Sequence, residues 1–200
     1  LDALLRLTKR SVKDITNEAG RSVLVYASLV GRDEVIKFLE GQPEVNWNRT
    51  DKNGRTALSW AVGNGHISTA QLLLTKTDPN LADKDGLVAL SWAAKNGQVG
   101  TSVLLLSLEN DQMPELRAEG KDRLTPLACA AAGGHSEVVS RLLSNIPYPK
   151  DNEEYPKLLE KDIETSLNLS AQNEHQEAIE VLVRARIFLV REWIFEPDGK

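Results

Sequence analysis

Side chains able to ligate a metal, attack a carbonyl or move a proton are few in this chain. There are three histidines, His66, His135 and His175, and one cysteine, Cys129. None of the histidines has a second histidine at metal-ligand spacing, and Cys129 has no histidine within reach in sequence to activate it. The carboxylate pair Glu153-Glu154 lies in a polar, proline-bearing stretch without a partner acid or metal ligand. No glycine-rich phosphate loop is present. Asn48-Arg49-Thr50 and Asn168-Leu169-Ser170 fit the glycosylation acceptor rule. Without a secretory signal both read as chance. Nothing in this inventory supports an enzyme, a cofactor or a metal site.

Composition narrows the remaining choices. Hydrophobic residues make up 41% of the 200 and charged residues 26%, values ordinary for a folded water-exposed chain. A formal net charge of −5 argues against general attraction to nucleic acid or to anionic membrane. One cysteine cannot form an internal disulfide, which suits a reducing compartment, cytoplasmic or nuclear. The longest apolar runs, such as Ile187 to Val190, are too short to cross a bilayer. Leu1 to Arg10 lack a signal-peptide core and an initiator methionine, so the expectation is a piece of a longer intracellular protein.

The elements that would position any site are set by a repeat. The pattern small-or-Thr, x, Leu, x, x, small, small occurs at Thr56–Val62, Val88–Ala94 and Thr125–Ala131, with looser copies starting at Ser22 and Thr165. Its leucines, at 24, 58, 90, 127 and 167, are 34, 32, 37 and 40 residues apart. Ten residues into each copy stand Arg32, His66, Gln98, His135 and His175, the first four each preceded by glycine. Apolar pairs follow in most copies, as in Leu72-Leu73 and Leu104-Leu105. The three histidines thus share one phase, at the start of a second helix. Stacked helices lie about 8–10 Å apart, and a metal needs nitrogens at about 2 Å, so a shared metal is excluded.

One copy reads as helix, turn, helix, protruding β-turn. Thr56 and Thr125 are helix caps, and Pro126 suits a first helical turn. Leu58, Ala61 and Val62 make one apolar face at i, i+3, i+4. Gly65 and Gly134 end the first helix. Asp51-Lys52-Asn53-Gly54 and Asp83-Lys84-Asp85-Gly86 carry turn chemistry.

This pattern resembles the ankyrin repeat, whose T-P-L-H-x-A-A…G-H…L-L-L motif is matched from about Asn17 to Arg184. The Leu-Ser-Trp-Ala variant at 58–61 and 90–93 is similar to repeats of large fungal ankyrin proteins. The resemblance implies an all-α solenoid of stacked helix-turn-helix units with protruding β-turn loops. Its units are the second half of an upstream repeat (1–16), then repeats at 17–48, 49–80, 81–117 with a longer loop, and 118–157 with a proline-bearing acidic insertion. A terminal repeat at 158–200 ends around Trp193-Ile194-Phe195, either on a cap or at a second cut through a longer array. One departure is systematic. The family's first-helix histidine is replaced by Val25, Ser59, Ser91, Ala128 and Asn168, so its bonds between repeat loops must be weaker or remade by serine.

The resemblance implies protein–protein recognition along the concave face and the turn tips. By repeat phase, those positions are Arg21, Lys52, Asn53, Arg55, Asn64, Lys84, Asp85, Leu87, Lys95, Asn96, Lys121, Asp122 and Leu124, with Glu18, Ala19, Arg123, Lys161, Asp162, Glu164, Gln172 and Asn173 in the same phases. The set carries more basic than acidic residues, which suits a partner with an acidic or mixed surface. Tyr26, Trp60 and Trp92 form an aromatic stripe on successive first helices, continued by Cys129 and Leu169. It serves either packing between repeats or exposed anchoring. Rival uses are docking on a catalytic or signalling domain of the parent chain, or a structural spacer.

Overall fold

The computed structural model describes residues 15–42, 45–108, 116, 120, 124–146 and 154–194, with side chains at the last helix described to 188. It is an all-α repeat solenoid. Ten helices are present among the described residues, in five pairs. The first helices of the pairs are α1 (Val23–Leu29), α3 (Ala57–Gly63), α5 (Ala89–Lys95), α7 (Pro126–Ala132) and α9 (Glu154–Gln172). The second helices are α2 (Asp33–Glu40), α4 (Ile67–Leu74), α6 (Val99–Leu106), α8 (Ser136–Ser144) and α10 (Gln176–Ile194). First helices pack on first helices down the array, and second on second.

Three of the first helices, α1, α3 and α7, are seven residues long and begin on a side-chain cap. The Ser22, Thr56 and Thr125 hydroxyls accept from the amides of Val25, Ser59 and Ala128 at 3.3, 3.1 and 3.2 Å. Pro126 occupies the first turn of α7. The buried face follows the i, i+3, i+4 spacing: Leu58, Ala61 and Val62 are fully buried, as are Ala93 and Ala94. Small residues at these sites let successive first helices approach closely, while Ile36, Leu73, Leu105 and Val139 fill the layer beneath.

The histidine phase ties one repeat to the one before. The Nε2–H groups of His66, His135 and His175 donate to the carbonyls of Leu29, Lys95 and Ala132, each at 3.1 Å. Glycine makes this possible. At Gly97 (φ +67°) an added Cβ would lie 2.5 Å from His135 Nδ1, so the position needs both the left-handed backbone and the missing side chain. The same phase in the last pair is Glu174, at φ 60°. Gln98 departs from the pattern, its amide donating to Asn96 O within its own repeat.

Three regions differ from expectation or lie beyond reach. In the terminal repeat the residues expected at the turn tip are helical: α9 runs from Glu154 to Gln172 and includes Lys161, Asp162 and Glu164. Leu159, Asp162, Ile163, Ser166 and Ser170 form its buried stripe, and Asp162 accepts a hydrogen bond from the α7 cap Thr125. Thr165 is therefore not a cap. Residues 1–14 of the upstream half repeat (1–16), most of the loop at 109–123 and the segment 147–153 lie outside the described residues, as do Phe195 and the side chains of Trp193 and Ile194 in the expected cap. Serine does not remake the loop bonds. Ser59 Oγ donates to Thr56 O within its own helix at 3.0 Å, and Ser91 Oγ has no hydrogen-bond partner.

Candidate interaction surface

The surface is built outward from the turn tips. In the first three repeats an Asx residue opens the turn: Asn17, Asp51 and Asp83. The side-chain oxygen Oδ1 of Asp51 accepts from the amides of Asn53 and Arg55 at 2.8 and 3.0 Å. Oδ1 of Asp83 accepts from Asp85 and Leu87, both at 2.9 Å. Asn17 does the same for Ala19 and Arg21, both at 3.0 Å. Backbone bonds then tie tip to tip, with Lys52 N donating to Ala19 O at 3.1 Å and Lys84 N to Asn53 O at 3.0 Å. Gly54 (φ +82°) allows the approach, since a Cβ there would sit 2.8 Å from Lys84 N.

The same aspartates hold the aromatic stripe. Trp60 Nε1 donates to Asp51 Oδ2 at 3.0 Å, and Trp92 Nε1 to Asp83 Oδ2 at 2.9 Å. Between the two rings lies Arg55. Its Cζ is 3.5 Å from the Trp60 centroid and 3.6 Å from that of Trp92, and Nη2 donates to Ser59 O at 2.9 Å. Arg21 reaches over Trp60 at 4.6 Å and Lys95 over Trp92 at 5.1 Å. The result is a continuous stack, Arg21–Trp60–Arg55–Trp92–Lys95. A desolvated cation–π contact contributes up to about 2 kcal/mol. Burial pushes the Arg55 guanidinium down to about 10, while Asp51 and Asp83 pull it back up, so it stays charged at neutral pH.

Of the expected surface residues, Lys52, Asn53, Asn64, Lys84, Asp85, Lys95 and Asn96 are exposed. Tyr26 is 53% exposed. Arg55 and Leu87 are buried at 6% and 7%, so they shape this face from beneath and offer no side chain to a partner. Arg21, Trp60, Trp92 and Leu124 are half-buried, and the two tryptophans pack between repeats around Arg55. Asn64 and Asn96 spend their amides on the preceding repeat, donating to Leu29 O at 3.1 Å and Gly63 O at 2.7 Å. Lys121, Asp122 and Arg123 lie outside the described residues. Cys129 is buried, and that burial pushes its thiol up to about 11, the state of a core residue rather than a nucleophile. Among the described residues no cluster of three His, Cys, Asp or Glu side chains is placed to hold a metal, and no helix is long and apolar enough to cross a membrane.

The turn role of the aspartates is legible in the sequence, but their bonds to Trp60 and Trp92 are what residue-by-residue reading missed. Their signal was present: each stands nine positions before its tryptophan, as Asn17 stands before Tyr26.

A family model of ankyrin repeats (3 copies) matches residues 1–83, 24–114 and 90–191. The chain belongs to the ankyrin-repeat family. Ankyrin repeats are in general protein–protein interaction modules. Among curated relatives, Inversin of Danio rerio is 41% identical over 69 residues, which is 34% of this chain and 7% of that protein. Inversin-B of Xenopus laevis is 44% identical over 64 residues, 32% of this chain and 6% of the relative. Inversin of Mus musculus is 39% identical over 64 residues, again 6% of its length. The chain thus spans a small fraction of these ankyrin relatives, and the likeness is one of repeats.

Proposed function

We propose that this ankyrin array is a protein-binding module of a larger intracellular protein, with its partner lying along the turn tips and the concave face of the first helices. One observation carries the reading: the exposed row Lys52, Asn53, Lys84, Asp85 and Lys95 stands on a base locked by Asp51, Asp83 and the Arg55 stack. Polar side chains on a flexible loop lose affinity to ordering, whereas tips already tied to one another do not. Tyr26 adds an exposed aromatic at the edge of the same face.

The test compares two folded variants as bait in source cells. One carries Lys84→Glu and Lys95→Glu on the concave face; the other carries Lys37→Glu and Lys157→Glu, exposed residues of α2 and α9. A partner held by the intact chain and by the second variant, but lost from the first, is the expected result. Equal capture by all three proteins sinks the concave-face assignment.

A further inference from the structure

Resting on that reading, we propose that the tips of the second and third repeats take an extended acidic segment of the partner, with carboxylates about three residues apart. The argument begins with which charges are free. Asp51 and Asp83, the buried and half-buried acids of these tips, have both oxygens engaged: Oδ1 by two turn amides each, Oδ2 by a tryptophan N–H. Asp51 also faces Arg21 at 3.9 Å and, with Asp83, compensates the charge of buried Arg55. Their charge is therefore consumed inward. Lys52 and Lys84 are exposed, make no ion pair with any described residue, and project from the outer rim. Lys95, further down the same face, adds a third positive charge. The exposed acid of the same row is Asp85, so the three lysines still leave the row net positive within a chain of net charge −5.

Spacing supplies the rest. The Lys52 and Lys84 backbones are in register, one repeat apart, because Lys52 N bonds to Ala19 O and Lys84 N to Asn53 O in the same way. One repeat is about 8–10 Å. A chain extended in the polyproline II form rises about 3.1 Å per residue with three residues per turn, so every third side chain returns to the same face and meets the next lysine. A helix at about 1.5 Å per residue would need roughly seven residues for the same step. The extended form covers the same step with three ordered residues instead of about seven, and the smaller loss of conformational entropy favours it.

The probe is a fluorescein-labelled peptide of about ten residues, with Glu at every third position among Gly and Ser, followed by anisotropy. Two control peptides carry the same Glu number as one contiguous block, or Lys in place of Glu. The protein variants are Lys52→Glu with Lys84→Glu, and the equally charged control Lys37→Glu with Lys157→Glu, each checked for an unchanged melting transition. The spaced peptide should bind the intact chain and the control variant, weaken by about tenfold in the tip variant, and weaken steeply as salt rises from about 50 to 300 mM. It should also bind more tightly than the block peptide. Equal loss in both variants, or equal binding of spaced and block peptides, overturns the proposal. So does binding of the Lys peptide as well as the Glu peptides. If capture in cells still depends on the concave face while the Glu peptides fail, this inference falls and the reading of the module as a protein binder stands.

Discussion

The second and third repeats and the fourth and fifth share a backbone plan but not the means of holding it. In the former, one aspartate per repeat closes the turn and anchors a tryptophan, and a buried guanidinium joins the two rings. In the fourth repeat the aspartate position is Gly120, where a Cβ would meet Asp85 O and Leu87 Cδ2, both at 2.9 Å. The tryptophan position there is Cys129, buried among alanines. In the fifth, the residues in the turn-tip phase belong to α9, pinned by the Thr125–Asp162 bond and by Leu159 and Ile163. A polar network therefore supports the half with exposed cationic tips, whereas apolar packing and one buried acid support the other. Rigid loops cost hydrogen-bonding side chains, and this chain places them where a partner is proposed to bind.

Breaking the network in one half should have the largest effect. Asp51→Ala strips partners from two turn amides and the Trp60 indole and leaves Arg55 less compensated. A loss of about 3 kcal/mol is expected by chemical denaturation. A loss under about 1 kcal/mol would show that the aspartate network is incidental. Next comes the tie shared by both halves. Gly97→Ala forces a side chain onto a left-handed residue and against His135, for an expected cost of about 2 kcal/mol. Its mirror experiment sharpens the contrast: Glu174 holds the same conformation at φ 60° without that freedom. Glu174→Gly should therefore raise stability by about 1 kcal/mol, read as an upward shift in melting temperature.

The smallest effect concerns a bond between the first two pairs. The Ser68 and Thr69 hydroxyls donate to Asp33 and hold its carboxyl below the usual 3.8. Because the folded value is depressed, this contribution is complete above the ordinary carboxylate range and is lost as pH falls through the folded value. Asp33→Asn should thus be slightly less stable than the parent at neutral pH, with the gap closing in acid. A gap that persists unchanged at low pH would assign the difference to packing instead of charge.

The repeat, its phase, the Thr56 and Thr125 caps and the buried faces are legible in the order of residues alone. These depend on contacts within one helical turn or on a period repeated in register, both of which a linear string records. Cys129 as a core residue and the histidines as structural groups followed from the same phase. Other features needed the stack. Arg55 and Leu87 occupy a turn-edge phase that reads as exposed, yet neighbouring repeats cover both. Trp60 and Trp92 became a clamp for Arg55 because helix stacking brings residues 32 positions apart within ring-stacking distance of one guanidinium. The α9 extension was hidden because Pro156 and the acidic run read as a loop, while the stripe Leu159, Ile163, Ser166, Ser170 becomes helical once α7 offers it a surface. Burial depends on what stands opposite a residue, and only the tertiary structure decides that.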